Sequence, residues 1–309
     1  MYIMIVNPVA GNGRAMSLFR RIQNEPLYKK ENCRSFLTEE PGHAERLALQ
    51  VTQIHHETLK GIIVLGGDGT LHEVVNGIRN YFETPVCFIP AGSGNDFARG
   101  ISLKKRGLKL FRSYMRSPKK PKVFLARYSL NNRQKHGRRT FINSIGFGLD
   151  GVVVATANQK KYRSWTRRLH ITKLTYPIAL LRSISKAKPV HFELFLDGKQ
   201  MNIHQAMMVT ITNHPYYGGG MKIAPKAKIN SKEMSVLVIK PISKKKLLAM
   251  FISVFLGLHT KMKEVEEWNA SSVHISSEQP LPFQVDGQSG SCFDCSIKKA
   301  ETSTTFFSD

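Results

Sequence analysis

Three glycines in four positions, set between an aliphatic run and a helical pattern, constrain this chain more than any other feature. The stretch reads Ile62-Ile63-Val64-Leu65-Gly66-Gly67-Asp68-Gly69-Thr70-Leu71-His72-Glu73-Val74-Val75-Asn76-Gly77. The aliphatic run has the character of a buried strand. The glycines force a tight turn that side chains would block. Leu71, Val74, Val75 and Ile78 then recur at helical spacing. A strand, a bare turn and a helix in that order aim main-chain N–H groups and a helix N-terminus beyond the sheet edge. That is an anion site, and phosphate is the anion it suits. Asp68 sits inside the turn. A carboxylate there repels bare phosphate, so its expected partner is Mg²⁺ or a substrate hydroxyl; the plainer alternative is a helix cap in an ordinary connection.

Two more loops of the same kind flank it. Tyr2–Val6 reads as a short buried strand and runs into Asn7-Pro8-Val9-Ala10-Gly11-Asn12-Gly13-Arg14, which is neither a P-loop nor a G-x-G-x-x-G turn. Ser35–Thr38 reads as a second strand, and His43–His56 as a helix with Ala44, Leu47, Ala48, Val51 and Ile54 on one side. Val86–Ile89 is a fourth strand, followed by Pro90-Ala91-Gly92-Ser93-Gly94-Asn95-Asp96-Phe97-Ala98-Arg99. Alternating strands and helices through about residue 117 predict an open, mostly parallel three-layer α/β sheet. Ligands of such sheets bind beyond the carboxyl ends of the strands. The loops at 7–14, 66–70 and 90–99 all follow strands and should gather on one edge.

The composition changes at Ser117-Pro118-Lys119-Lys120-Pro121, a basic, proline-containing linker. Beyond it come short strands, at 123–129, 139–145, 190–196, 205–211, 235–239, 272–275 and 283–285, with an Asp197-Gly198 hairpin turn and helices near 172–185 and 244–256. The expected architecture is therefore an α/β domain over 1–121 and a β-sandwich over 122–309, with a C-terminal tail able to pack back on the first. Tyr216-Tyr217-Gly218-Gly219-Gly220 and Asp286-Gly287-Gln288 are its candidate functional loops.

With 309 residues the chain has room for two cores, and a formal charge of +24 calls for a polyanionic partner: nucleic acid, an anionic membrane or phosphorylated ligands. Four cysteines, Cys33, Cys87, Cys292 and Cys295, fit a reducing compartment rather than a disulfide scaffold, and the isolated Cys292-x-x-Cys295 lacks two further ligands for zinc. No signal peptide is expected, and the longest apolar run, Leu247–Leu258, is too short to span a bilayer.

Taken together, these motifs carry a resemblance. Asn7-Pro8 with Gly11 and Gly13, Gly66-Gly67-Asp68-Gly69-Thr70 with Glu73, Pro90 through Arg99, Gly218–Gly220 with Ala224-Pro225, and Asp286-Gly287 stand in the order found in the diacylglycerol/sphingosine-type lipid kinases. The match is similar to the bacterial branch and spans nearly the whole chain. It implies a nucleotide-binding domain, a lipid-binding sandwich with a cleft between them, and transfer of the ATP γ-phosphoryl to a lipid hydroxyl with Mg²⁺. By motif, Asn7, Gly11, Thr38, Gly66, Gly67, Gly69, Thr70, Glu73, Ser93 and Asn95 would serve the nucleotide. Asp68 and Asp96 would join the Mg²⁺ network, and Asp68, Asp96 and Gln288 hold the catalytic positions.

The departures from the pattern are acidic. Gln288 stands where the family has the glutamate taken as general base, Phe124 where it tends to have an aspartate, and Ser231, Lys232 and Ser235 where acids support a structural Mg²⁺. An amide accepts no proton at neutral pH, and a general base contributes typically about 10²- to 10⁴-fold. A loose phosphoryl-transfer transition state asks little of a base, and Asp68 can then take the hydroxyl proton itself. Two readings follow: a lipid kinase, or a homologue that binds lipid and nucleotide with impaired catalysis.

Lys160–His170 mixes cations with Tyr162 and Trp165 and suits an anionic lipid interface, while Lys244-Lys245-Lys246 leads an apolar helix that is either a lipid groove or core. A peripheral, cytoplasmic protein is expected; a homodimer is allowed. Nucleic-acid binding lacks a zinc-finger or RNA-recognition signature, and a soluble NAD kinase-like enzyme, which shares the Gly-Gly-Asp-Gly turn, would not need Asn95-Asp96-Phe97-Ala98-Arg99.

Overall fold

The computed structural model describes residues 1–131, 138–159, 179, 182–184 and 187–309. The chain divides into two units, Met1–Leu125 with Glu301–Asp309, and Ala126–Ala300. The basic segment 160–170 and most of the helix expected near 172–185 lie outside the described residues.

In the first unit the elements run β1 (Tyr2–Val6), α1 (Arg14–Gln23), α2 (Pro26–Lys30), β2 (Cys33–Leu37), α3 (His43–His55), β3 (Gly61–Gly66), α4 (Asp68–Gly77), β4 (Val86–Pro90), α5 (Asp96–Gly100), α6 (Gly107–Arg116) and β5 (Lys122–Val123). The sheet order is β2-β1-β3-β4, all parallel, and then the C-terminal strand Thr304–Phe307, parallel to β4 and antiparallel to the edge strand β5. Every residue of β1 and β3 is buried, as strands covered on both faces require. Helix α1 buries Ala15, Phe19 and Ile22 at helical spacing, and α6 buries Leu110, Phe111 and Tyr114, whose hydroxyl donates to the Phe88 carbonyl at 2.7 Å. Residues 122–125, assigned from the sequence to the second domain, belong to the first, because β5 pairs with the C-terminal strand.

The second unit is a β-sandwich-like body of β6 (Ala126–Leu130), β7 (Arg139–Phe141), β8 (Ser144–Gly148), β9 (Glu193–Leu196), β10 (Met208–Thr212), β11 (Met234–Ile239), β12 (Val265–Ala270), β13 (Ser272–Val285) and β14 (Gln288–Lys299). Its main order is β12-β11-β10-β8-β13-β14-β6-β7. A register break between Ser276 and Leu281 bends β13, so its first half pairs with β9 and its second half with β8. Side chains from β6, β8, β10, β11, β13 and β14 fill the core between the faces, Cys292 and Cys295 among them. Helices α7 (Leu149–Asn158) and α8 (Lys244–Val254) cover a second apolar cluster.

The strand expected over 139–145 is two strands. The Asp286 carboxylate takes the backbone N–H groups of Ile142, Asn143 and Ser144 at 2.7, 2.8 and 3.1 Å, which removes them from any ladder. Helix α7 and the long strand β14 were not foreseen. A glycine-rich entry at Gly146–Gly151 hides the first, and Ser, Gly, Asp and Lys dilute the alternation of the second.

Candidate active site

The three glycine loops of the first unit meet. Asn7 follows β1, donates from Nδ2 to Thr70 Oγ1 at 3.0 Å, and accepts from the Val9 N–H at 3.2 Å. The Ala91 N–H donates to the Gly66 carbonyl at 2.7 Å. A Cβ on Gly92 would stand 2.7 Å from Gly67 Cα, and one on Gly11 only 2.1 Å from the Ala91 carbonyl oxygen. These positions hold glycine because backbone packs on backbone there. Gly69, by contrast, faces open space at the start of α4. The bare N-terminus of that ten-residue helix therefore opens beyond the strand ends.

Asp68 is half-buried, and its carboxylate reaches across the turn. Oδ2 accepts from the Asp96 N–H and Oδ1 from the Phe97 N–H, both at 3.1 Å. It therefore caps α5, whose own N-cap residue, Asn95, gives no side-chain cap and sits at φ 55°. Asp96 is buried, and its Oδ1 accepts from Arg99 Nη1 at 2.8 Å. Asn95 Nδ2 donates to the Gly92 carbonyl at 2.9 Å, while its buried Oδ1 has no hydrogen-bond partner among the described residues. Glu73 points elsewhere: Oε2 accepts from the Ala44 N–H at 3.2 Å, at the start of α3. Thr38 continues β2, its N–H donating to the Val6 carbonyl at 2.8 Å, and Ser93 is exposed in the third loop.

Beside these loops lies a cavity of about 490 Å³ walled by Arg14, Arg21, Arg99, Lys105 and Arg106 together with Ala91, Gly92 and Asn95. Among the described residues no carboxylate lines it. Five cations around one cavity favour a multiply charged anion.

Mg²⁺ takes oxygen ligands, from one or two carboxylates together with phosphate and water. Among the described residues no three His, Cys, Asp or Glu side chains cluster as a metal cage. A carboxylate has about four lone-pair sites. Asp68 spends two on backbone N–H groups, which suits an ion that takes most of its oxygens from phosphate and water. The positions beyond Ala224-Pro225 offer no acid: Ser231 Oγ accepts from the Glu233 N–H at 3.0 Å, and Ser235 Oγ donates to Asn269 Oδ1 at 3.2 Å. Phe124 is a buried apolar side chain.

In the second unit Asp286 and Gly287 form the two-residue turn between β13 and β14, both at positive φ, 46° and 87°. Gln288 opens β14 and is exposed. A buried carboxylate that the sequence reading passed over fixes this turn. Asp150, fully buried in the first turn of α7, accepts from the Tyr217 hydroxyl and, at 3.1 Å, from Gln284 Nε2. Gln284 Oε1 then accepts from the Gly287 N–H at 3.0 Å. Tyr217 leads into Gly218–Gly220, all three at positive φ, so one acid ties both candidate loops of this unit. Its only sequence signal is an aspartate inside an otherwise apolar and glycine-rich run. His214, also buried, is held neutral with its pKa pushed down to about 3 by burial; Nδ1 accepts from the Tyr216 N–H, so Nε2 donates to Asn143 Oδ1 at 2.8 Å.

Residues 1–124 match the diacylglycerol kinase catalytic domain, and residues 143–296 the YegS C-terminal NAD kinase beta sandwich-like domain. A Bacillus subtilis (strain 168) protein named "Putative lipid kinase YtlR" is 36% identical over 294 residues, covering 93% of each chain. The chain belongs to the diacylglycerol kinase-like lipid kinase family. A diacylglycerol kinase of Staphylococcus carnosus (strain TM300) is 27% identical over 295 residues, 93% of this chain and 88% of the relative. In fold, the chain is similar to a diacylglycerol kinase from Bacillus anthracis str. Sterne, with a TM-score of 0.73 at 20% identity over 100% of this chain and 96% of that one. Family membership supports phosphotransferase chemistry. Among the described residues no helix is long and apolar enough to cross a membrane.

Proposed function

We propose that this family member is a lipid kinase that transfers the ATP γ-phosphoryl group to the hydroxyl of a diacylglycerol-like lipid. The observation that carries the reading is the backbone-on-backbone convergence of the loops at Gly11, Gly67 and Gly92, beside a wall of five cations. Phosphoryl transfer asks a protein chiefly for positioning and charge neutralisation, and bare amides with arginines supply both. The triphosphate lies against the start of α4, and the unsatisfied Asn95 Oδ1 offers an acceptor for a hydroxyl or amine of the nucleotide. Mg²⁺, held by Asp68 with Asp96 behind it, would neutralise charge on the phosphate oxygens. Asp68, already anchored by two N–H groups, is the carboxylate nearest the role of proton acceptor, since Gln288 has none to offer. The chain acts as a peripheral protein of the cytoplasmic face, where an anionic surface meets its +24 charge.

The exposed amide of Gln288 favours a second reading, a homologue that binds nucleotide and lipid but turns over little. Radiolabelled ATP offered with a panel of lipids, beside a nucleotide-binding measurement, separates the two. Label in one lipid class supports the kinase. Nucleotide binding without transfer, relieved about tenfold or more by Gln288→Glu, supports the impaired homologue. Absence of both overturns the reading of the site.

A further inference from the structure

Helix α8 and the turn that follows it carry two separate apolar faces. Leu247, Met250, Phe251 and Val254 are buried and belong to the core cluster beneath it. Away from that cluster Leu248 and Ile252 on the helix, and Phe255, Leu256 and Leu258 just after it, are exposed, Ile252 by 70% and Leu256 by 73%. The positions 248, 252, 255 and 256 follow i, i+4, i+7 and i+8, so they form one stripe rather than scattered residues. A run of exposed apolar side chains on one surface, rimmed by cations, marks a place of contact with an apolar medium. The stripe is rigidly held. Ser243 caps the helix by accepting from the Lys246 N–H, a Cβ on Gly257 would stand 2.8 Å from the Pro225 ring, and the buried His259 bonds through Nε2 to the Ile223 carbonyl at 2.8 Å just beyond Leu258. Exposed lysines surround it: Lys244 and Lys245 one turn before Leu248, Lys261 and Lys263 after Leu258, and Lys222 beside Gly257.

We propose that this stripe is a docking surface that inserts into the headgroup region of an anionic bilayer, with the five lysines on the lipid phosphates. The charge pattern chooses the occupant. A second copy meeting this face across a two-fold axis would set lysines against lysines, in a chain already carrying +24, whereas anionic lipid satisfies both the apolar stripe and its rim. Eleven residues cannot span a bilayer but can lie in its interface. The inference deepens the proposed lipid kinase by naming the element that meets the acceptor's membrane, and it rests on that reading for its commitment to lipid.

The test is sedimentation of the full chain with phosphatidylcholine vesicles, with and without phosphatidylglycerol, in the absence of ATP. The wild type should partition onto the anionic vesicles, and salt should release it. Ile252→Ser/Leu256→Ser and Lys245→Glu/Lys263→Glu should each lower the partition coefficient at least tenfold, while leaving transfer to a water-soluble short-chain acceptor unchanged. Vesicle binding that both variants retain overturns the proposal. So does a wild-type dimer in light scattering that Ile252→Ser/Leu256→Ser dissociates, since the stripe would then be a self-interface. Failure of phosphoryl transfer with every lipid strikes the kinase reading alone, because vesicle binding is read without it.

Discussion

Asp68→Ala separates what this carboxylate does for the fold from what it does for the chemistry. The side chain accepts two backbone hydrogen bonds of 3.1 Å at the start of α5, and α5 has no side-chain cap of its own. Losing a helix cap costs about 0.5–2 kcal/mol, and a hydrogen bond to a charged group contributes about 1.5–3 kcal/mol. Asp68 is only partly buried, so solvent discounts the sum, and a destabilisation of about 2 kcal/mol is expected. That is roughly a 30-fold change in the folding equilibrium, which a protein with about 10 kcal/mol of stability absorbs while staying almost wholly folded. Unfolding therefore cannot account for lost turnover. Urea titration and labelled-phosphate transfer on the same preparation should show a lowered midpoint and turnover down at least about 100-fold. Asp68→Asn should cost nearly as much stability, because its amide nitrogen cannot accept the second N–H. An unchanged midpoint would refute the capping argument. Turnover within about threefold of the wild type would refute the catalytic one.

Three further outcomes follow from the same geometry. Gly69→Ala fills open space at the start of α4, so it should keep or raise stability by up to about 1 kcal/mol yet weaken nucleotide binding in calorimetry; Gly92→Ala, with a Cβ 2.7 Å from Gly67 Cα, should lower both. Lys299 is buried, donates to Asn213 Oδ1 at 2.8 Å, and has its pKa pushed down by burial from 10.5 to about 7. Between those values the unfolded chain holds the extra proton, so stability climbs with pH through that window and is depressed below it. Lys299→Met should remove that slope, its advantage over the wild type in urea titrations shrinking by about 2 kcal/mol between pH 7 and pH 9; a constant difference would count against the buried charge. Gln288→Glu should raise transfer in the lipid-panel assay if the missing base limits the rate, and leave the urea midpoint unchanged because the residue is exposed.

The parts of this molecule that the sequence reports are those written locally. A buried run, a glycine turn and a helical period lie within sixteen consecutive residues at 62–77, and the same grammar recurs at 2–14 and 86–99. Parallel α/β topology then brings strand exits to one edge, so the convergence of the glycine loops and the resemblance they carry were legible in the sequence. The sandwich read less well. Its strands are short, Asp286 breaks one of them through three amides more than 140 residues away, and β13 changes partner at a bulge.

By itself the sequence determined which residues could bare their backbone, where positive charge accumulates, and that Gln288 carries an amide where a base was expected. Tertiary structure alone decided what those groups meet. It gave Asp68 the N–H groups of Asp96 and Phe97, turned Glu73 toward α3, and joined Asp150 to Tyr217 and Gln284. Among the described residues it also left a second apolar face at α8 exposed, because apolar residues recur on both sides and only packing chooses between them. Periodicity records which face of a segment is apolar; it holds no record of partners far away in the chain, and those partners set each side chain's task.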